Sequence, residues 1–342
     1  MNTFKRILAL MLSLLLIVGC FSACGGEGNP QETTESKVTE PPEEAKVLKV
    51  LTLGHSLAVD CGHMLAKVAH AEGYESMVVG TLYYSGCPLV KHVEFLSNNS
   101  REYALYVSST ETPDVAPKTM QNVTMQEALT YDYWDVIVMQ GGVFDIAREE
   151  DYTAGYIQAI QKYVNENKKN PNASFCWNMT WVPPVDEDLC KTYEADLSKN
   201  TYYSRYDEYN HDRSKMYQAV AKCVGDNIMT DKTFEKMIPV ATVYENALSS
   251  YLTEKDMHRD YVHASDLARV MVAYTWFAVL TGKDQLEAIN LDVIPRSLLK
   301  TTLGGGSWTL TDAEKAIVLE SVNNALKNPL QMTQSQYTQA PA

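Results

Sequence analysis

The apolar residues follow two different patterns along the chain, one typical of strands and one typical of helices. Short apolar runs typical of buried strands cover Val47–Leu53, Met77–Tyr83, Val136–Gln140, Ser174–Met179 and Lys236–Val240. Apolar residues recur at helical spacing over Ala58–Glu72, Ala154–Asn165, Ser214–Val224, Val270–Leu280 and Asp312–Leu326. Because strands and helices alternate, the pattern predicts an α/β protein with a parallel sheet covered on both faces, a three-layer α/β/α sandwich.

The carboxyl ends of these predicted strands should share one edge of the sheet. Right-handed crossovers make successive strands run in the same direction, and ligands of such sheets bind beside the strand ends. The residues that fall at this edge are Ser56, Gly86, Gln140, Asn178 and the segment after Val240. We therefore expect the functional site there.

Residues 1–24 have the pattern of a bacterial lipoprotein signal. A basic start is followed by an apolar run over residues 7–18, which is too short to span a membrane. Cys20 and Cys24 each end a sequence that resembles a lipoprotein box, and we favour Cys24 as the site of lipid attachment. An ordinary cleaved signal is the alternative. A lipidated protein would be extracytoplasmic and anchored to the cell membrane.

Two polar segments flank the predicted domain. Residues 25–45 are rich in Glu, Pro, Thr, Ser and Gly and bury too little apolar surface to offset their ordering entropy, so they predict a disordered tether. Residues 331–342 are similarly polar and predict a flexible tail. The remainder, residues 46–330, is long enough for one large α/β domain.

The net charge limits the possible partners, and the cysteine content indicates the state of the thiols. A formal charge of -14 would repel phosphate backbones, which excludes nucleic acid as a partner. Beyond the signal, the cysteines are odd in number, have no C-x-x-C spacing and predict mostly buried free thiols. They are Cys61, Cys87, Cys176, Cys190 and Cys223.

Ser56 lies where a strand gives way to a helix, in Gly54-His55-Ser56. A serine at such a turn is often an acyl-transfer nucleophile, because the turn holds its oxygen clear of the sheet and beside free backbone N–H groups. The alternative role of Ser56 is the helix N-cap, since serine is a preferred capping residue.

Asp260 and His263 offer a carboxylate and an imidazole three positions apart. In a short turn the carboxylate can hold one imidazole nitrogen while the other faces a serine, taking and returning its proton. Asp60 and His63 repeat this spacing, but they continue the helix after Ser56 and should point away from the cleft.

Acyl transfer also needs hydrogen-bond donors for the developing oxyanion. The candidates are the backbone N–H of Ser56, the backbone N–H of Gly86, where glycine permits close approach, and the side-chain amide of Gln140. A turn glycine and a satisfied polar residue at a strand end are the alternatives for the last two.

Metal and aromatic candidates are weaker. Atoms that could bind a metal lack convergent ligand spacing, so we predict no metal site. They belong to His55, Asp60, Cys61 and His63. Four aromatic residues near strand ends could stack on a sugar, although core packing should account for at least half of them. They are Trp177, Trp181, Tyr83 and Tyr84.

These motifs together resemble the SGNH hydrolases, also called GDSL-type esterases. Leu53-Gly54-His55-Ser56-Leu57 resembles the first block of that superfamily, Gly86 the second, Trp134 to Gly142 the third and Asp260-x-x-His263 the fifth. Trp177 to Trp181 and His263 to Gly282 resemble one uncharacterised branch, which is frequent among bacterial exported proteins. The resemblance implies a flavodoxin-like fold with a five-stranded parallel sheet.

The resemblance also implies a serine esterase with a Ser56, His263 and Asp260 triad and no cofactor. Two positions depart from the superfamily's pattern. The asparagine of the third block is replaced near Phe144, which cannot donate a hydrogen bond, so Gln140 would take its place in the oxyanion site. His55 stands where an aspartate or asparagine is usual.

The predicted function is hydrolysis of small acyl esters, with acetyl groups on carbohydrate as the favoured substrate. The main alternative is a surface glycan-binding lipoprotein that keeps the fold and has lost catalysis. A lipase would need an apolar lid over its cleft. The sequence has no obvious apolar lid, although the long insertion from Tyr103 to Met125 could cover the cleft.

Overall fold

The computed structural model describes residues 47–143, 145–295 and 307–341. The predicted signal and tether, both candidate lipid-attachment residues (Cys20 and Cys24) and Phe144 lie outside the described residues.

A seven-stranded sheet forms the middle layer, in the order β4-β3-β2-β1-β5-β6-β7. Its strands are β1 (Val47–Gly54), β2 (Ser76–Tyr83), β3 (Tyr103–Ser109), β4 (Lys118–Val123), β5 (Val136–Gln140), β6 (Ser174–Asn178) and β7 (Phe234–Ile238). Strands β2, β1, β5, β6 and β7 are parallel, and among themselves they follow the flavodoxin-like order 2-1-3-4-5. The predicted parallel sheet is confirmed, and β3 and β4 extend it beyond β2.

The insertion from Tyr103 to Met125 belongs to this sheet and does not form a lid. Strand β3 pairs antiparallel with β2, and β4 pairs antiparallel with β3. Most of β4 is exposed, which is typical of an edge strand with water on one side. Its polar residues therefore reflect its position in the sheet, and the expectation that this segment could cover a cleft is wrong.

Helices cover both faces of the sheet. They are α1 (Ser56–Ala71), α2 (Leu89–Asn98), α3 (Met125–Leu129), α4 (Glu149–Thr153), α5 (Tyr156–Asn167), α6 (Glu187–Cys190), α7 (Arg213–Asn227), α8 (Val240–Leu248), α9 (Glu254–Met257), α10 (Asp266–Leu280) and α11 (Asp312–Lys327). Short 3-10 turns at Leu197–Lys199 and Tyr203–Tyr209 and a hairpin of β8 (Val293–Pro295) and β9 (Ser307–Thr309) complete the described elements. Within these ranges no helix is long and apolar enough to cross a membrane.

Two apolar clusters hold the three layers together. Successive side chains of a strand point to opposite faces, so Val50 of β1 joins one cluster and Leu51 joins the other. The Val50 side is covered by α1, α8, α10 and α11, and the Leu51 side by α2, α5 and α7. The predicted three-layer sandwich is confirmed.

The carboxyl-terminal segment is bound to the domain, which corrects the predicted flexible tail at 331–342. The N–H of Thr333 donates to Asn246 Oδ1 at 2.6 Å, and the N–H of Tyr251 donates to the carbonyl oxygen of Tyr337 at 2.9 Å. Tyr337 also packs against the core. Polar composition misled the prediction because the segment is held largely by hydrogen bonds to residues around the end of α8.

The five cysteines in the described ranges are buried free thiols, as their number and spacing predicted. Burial raises the pKa of Cys87 and Cys190 to about 12 each. At neutral pH these thiols stay protonated, so they are poor nucleophiles.

Candidate active site

The turn after β1 places Ser56 at the first position of α1. His55 caps this helix: its Nδ1 accepts a hydrogen bond from the Leu57 N–H at 3.4 Å. His55 Nε2 lies 3.0 Å from the carbonyl oxygen of Gly141, to which it donates. The alternative role of Ser56 as the helix cap is therefore excluded, and its side chain is partly exposed at the sheet edge.

The environment of His55 keeps its imidazole neutral. Burial lowers the pKa of His55 to about 4, against the partial support of the Gly141 hydrogen bond. Both ring nitrogens are engaged, one as acceptor and one as donor, so neither is available to a metal. Across the described ranges no group of three or more His, Cys, Asp or Glu side chains is placed to hold a metal ion.

Buried histidines should make the domain sensitive to acid. Burial lowers the pKa to about 4 for His55 and about 3 for His92 and His258. Because these folded pKa values lie below the unfolded value, their contribution to stability is present above about pH 6.5 and is lost as the pH falls toward 4. Each histidine should change the free energy of unfolding by about 1.4 kcal/mol per pH unit in that window.

Urea unfolding at several pH values between 7.5 and 5 would measure this slope. We expect almost no slope above about pH 6.5 and, toward pH 5, a slope that corresponds to uptake of close to one proton per buried histidine on unfolding, which His258→Asn should reduce by one. Replacing the exposed His70 in the same way is the control and should leave the slope unchanged. A free energy of unfolding that stays constant over this range would contradict the prediction.

Asp260 and His263 form a close pair in the loop between α9 and α10. His263 Nδ1 lies 2.9 Å from Asp260 Oδ2 and 3.0 Å from Asp260 Oδ1. The N–H groups of His263 and Val262 also donate to Asp260 Oδ1, at 2.8 and 3.0 Å. Nδ1 therefore carries a proton, and Nε2 is the nitrogen left for proton transfer.

The Asp260 carboxylate remains charged at neutral pH. Burial would raise its pKa, but the hydrogen bond and charge of His263, together with the backbone N–H donors, outweigh burial and lower the pKa to about 2. A permanent carboxylate can fix the imidazole and stabilise its protonated form.

The loop that carries this pair is bound to α1 through Asp60. Asp60 Oδ2 accepts a hydrogen bond from the Ala264 N–H at 3.2 Å and from Arg259 Nη1 at 3.1 Å, and Asp60 Oδ1 accepts from Arg269 Nη2 at 2.9 Å. We call Asp60, Arg259 and Arg269 the Asp60 ion cluster. Asp60 thus lies beneath the loop, so the expectation that it points away from the site is wrong.

The hydrogen bond from the Ala264 N–H to Asp60 places the preceding residue, His263, near the first turns of α1. After burial and the hydrogen bond to Gly141, the charge of His263 is the next influence on the pKa of His55, which it lowers. Burial would raise the pKa of Asp60, and the charges of Arg269, Arg259 and His263 outweigh burial and lower it. The charge of His263 therefore contributes to the lowered pKa of His55, just before Ser56, and of Asp60, one helical turn after it.

Gly86 lies in a turn beside the end of β1. Its φ of +60° is left-handed and favours glycine, and the turn closes through a 3.3 Å hydrogen bond from the Cys87 N–H to the Tyr84 carbonyl oxygen. The Tyr84 N–H donates to the Gly54 carbonyl oxygen at 3.2 Å, which joins this turn to the β1 end. The N–H groups of Gly86 and Ser56 have no acceptor among the residues that the structure describes.

Gln140 is buried at the end of β5, with its amide against β1. Its Oε1 accepts a hydrogen bond from Asn178 Nδ2 at 2.9 Å, and its Nε2 has no acceptor in the described part of the chain. A Cβ atom at Gly54 would lie 2.6 Å from this Nε2 and 3.0 Å from the Ala58 Cβ, so a side chain at residue 54 would displace the Gln140 amide. The unpaired amide nitrogen of Gln140 is therefore buried beside Gly54, which lies two positions before Ser56 in the chain.

Of the four aromatic residues predicted as candidates for sugar stacking, two are buried in the core and two are half-buried. Trp177 and Trp181 are 1% and 0% exposed and belong to the core. Trp181 Nε1 also donates to the Val262 carbonyl oxygen at 2.9 Å, so it supports the Asp260 loop from below. Tyr83 and Tyr84 are half-buried at the sheet edge.

Comparison with known proteins places the chain in a family. No protein of curated function matches it. Residues 49–291 match the family described as "Domain of unknown function (DUF4886)". The chain belongs to the DUF4886 family. The matched residues include most of β1, the Gly86 turn, the end of β5 and the Asp260 loop.

Solved structures agree with this family at the level of the fold. A DUF4886 protein from Bacteroides uniformis is 22% identical, with a TM-score of 0.68 over 86% of this chain and 100% of that chain. A candidate SGNH hydrolase from Slackia heliotrinireducens (17% identity, 68% of this chain, 99% of that chain) has a TM-score of 0.40. A family 3 carbohydrate esterase from Clostridium thermocellum (11%, 69% and 96%) has a TM-score of 0.38. The DUF4886 structure establishes a shared architecture.

Proposed function

We propose that this DUF4886 protein is a serine ester hydrolase related to the SGNH hydrolases. Ser56 is the nucleophile, His263 the general base and acid, and Asp260 the residue that orients His263. The observation that carries the proposal is the double contact of Asp260 with His263 Nδ1, in a loop that is hydrogen-bonded to the helix beginning at Ser56.

The proposed reaction has two halves. Ser56 Oγ attacks the ester carbonyl carbon while His263 Nε2 accepts its proton, and the same nitrogen returns the proton to the alcohol oxygen as the acyl–oxygen bond breaks. Water then attacks the acyl-enzyme, with His263 taking the water proton and returning it to Ser56. No organic cofactor takes part.

The oxyanion of each tetrahedral intermediate would be held by two backbone N–H groups, those of Ser56 and Gly86. Both lack an acceptor in the described chain and lie at the joined ends of β1 and β2. The Gln140 amide is the third proposed donor, and its unpaired Nε2 supports this role. Preorganised donors of this kind contribute about 3 kcal/mol each to transition-state stabilisation.

The proposed substrate is a small acyl ester of a carbohydrate, with acetyl as the favoured group. We further propose that lipid at Cys24, or at Cys20, anchors the domain outside the cell membrane, where polysaccharides are accessible. The surplus of acidic over basic residues supports a neutral glycan over a nucleic acid as the partner.

A fluorophosphonate probe tests the nucleophile directly. The folded protein should be labelled at Ser56, and Ser56→Ala should abolish labelling. Ser85→Ala is the matched control, because Ser85 is an exposed serine at the same sheet edge, and its labelling should match the wild type. If folded protein shows no labelling that depends on Ser56, the alternative of a non-catalytic glycan-binding lipoprotein is favoured.

A further inference from the structure

Three tyrosines lie together beside the imidazole of His263. The ring centroids of Tyr193 and Tyr202 are 4.1 Å apart, those of Tyr193 and Tyr261 are 5.0 Å apart, and those of Tyr202 and Tyr261 are 4.8 Å apart. The Tyr261 ring centroid is 6.1 Å from that of His263. We call these three residues the tyrosine platform.

A backbone hydrogen bond and ring contacts hold the platform in place. The Tyr261 N–H donates to Thr192 Oγ1 at 3.0 Å, which joins the Asp260 loop to the segment between α6 and α7. Each of the three rings also contacts the other two, edge-on or tilted. The rings are therefore positioned before any ligand arrives, which reduces the entropy lost on binding.

The platform is open to solvent. Tyr193 is 48% exposed, and Tyr202 and Tyr261 are partly exposed. The two tryptophans at this edge, Trp177 and Trp181, are by contrast buried in the core. A preformed aromatic surface beside the proton-transfer residue is thus available to a substrate.

We propose that the tyrosine platform binds the sugar ring in the alcohol part of the ester substrate. This inference rests on the proposed function, in which His263 returns a proton to the leaving alcohol oxygen. That oxygen must come within hydrogen-bonding reach of the imidazole, so the carbon skeleton attached to it lies beside His263 and next to Tyr261.

The chemistry of the platform fits a pyranose. One face of a pyranose presents C–H groups, which pack against an aromatic ring, and its rim presents hydroxyl groups. Tyrosine combines an apolar ring with a hydroxyl in the same way. The acyl chain of a lipid would instead desolvate the tyrosine hydroxyls without replacing their bonds to water.

Two esters that differ only in the alcohol test the platform. Ethyl acetate and 6-O-acetylglucose share the acyl group and the primary ester oxygen, and only the second carries a sugar ring. We expect the ratio of kcat/KM for the sugar ester over ethyl acetate to fall about three- to tenfold in Tyr193→Ala. Tyr193→Phe should keep most of the ratio because it keeps the ring.

The matched control is Tyr133→Ala. Tyr133 is 50% exposed but precedes β5, so it lies at the opposite edge of the sheet, and its loss should leave the ratio unchanged. A ratio in Tyr193→Ala equal to that of the wild type would overturn the platform, as would a wild type with no preference for the sugar ester.

Binding measured without turnover separates the two proposals. Ser56→Ala protein should bind 6-O-acetylglucose in calorimetry, and adding Tyr193→Ala should remove most of that binding. If no ester is hydrolysed but binding depends on Tyr193, the platform stands and the proposed esterase fails. If hydrolysis depends on Ser56, but Tyr193→Ala changes neither the binding of 6-O-acetylglucose nor the ratio of kcat/KM values, the proposed esterase stands and the platform fails.

Discussion

Replacing His263 with alanine is expected to lower kcat on a short aryl ester by about 10,000-fold or more. Without the imidazole, the Ser56 proton has no acceptor and the leaving alcohol has no proton donor. Ser56→Ala should lose a similar factor, and the double variant should be no worse than either single variant, because the two residues act as one unit. Initial rates of acetate release from purified protein measure these losses.

Two further variants define the role of the pair. Asp260→Asn should also lower kcat by about 10,000-fold, because the amide favours the wrong imidazole tautomer while the loop keeps its shape. The exposed His70, in the last turn of α1, is the matched histidine control, and His70→Ala should retain wild-type kcat. Acetate release that survives His263→Ala intact would contradict the proposed proton transfer.

The parallel core could be predicted from the sequence because its strands are buried on both faces. Such strands are continuous apolar runs, and the observed bounds of β5, Val136–Gln140, are those predicted. Strands β3 and β4 were missed because they are half-exposed and carry many polar residues. The prediction also extended the last strand to Val240, where a buried helix, α8, begins with valines that suit either structure.

The Asp260 and His263 pair was accessible to sequence analysis because both residues lie on one short turn. The Asp60 ion cluster was not, because its carboxylate and its two arginines are about two hundred positions apart in the chain. A signal was present: Asp60 and Arg269 are charges of opposite sign, each within a predominantly apolar helix, and buried charges need partners. Sequence spacing also could not decide whether His55 or Ser56 caps α1.

The tyrosine platform has no sequence periodicity that would reveal it. Tyr193 and Tyr202 come from an irregular segment, and Tyr261 comes from a distant loop. A high tyrosine content was visible in the composition, but which tyrosines meet depends on how these two segments fold over the sheet edge.

Replacing Asp60 with alanine is expected to lower the free energy of unfolding by about 3–5 kcal/mol. Arg269, whose side chain is only 5% exposed, would lose its closest carboxylate and remain in the interior as a charge. The Ala264 N–H would lose its acceptor as well. Urea unfolding at pH 7.5 measures the loss, and a change below about 1 kcal/mol would show that the cluster is not a buried ion pair of this kind.

Asp60→Ala should also lower kcat in molecules that remain folded, because Asp60 fixes the loop that carries His263. Glu245→Ala is the matched control: Glu245 is buried and pairs with Arg213 at 2.9 Å, but it contacts neither the loop nor α1 through that pair. Both variants should be less stable, and measured at a temperature where each is folded, only Asp60→Ala should lose kcat. Asp60→Asn keeps an oxygen acceptor for the Ala264 N–H and should recover part of that loss. Equal kcat in Asp60→Ala and Glu245→Ala would restrict Asp60 to stabilising the fold.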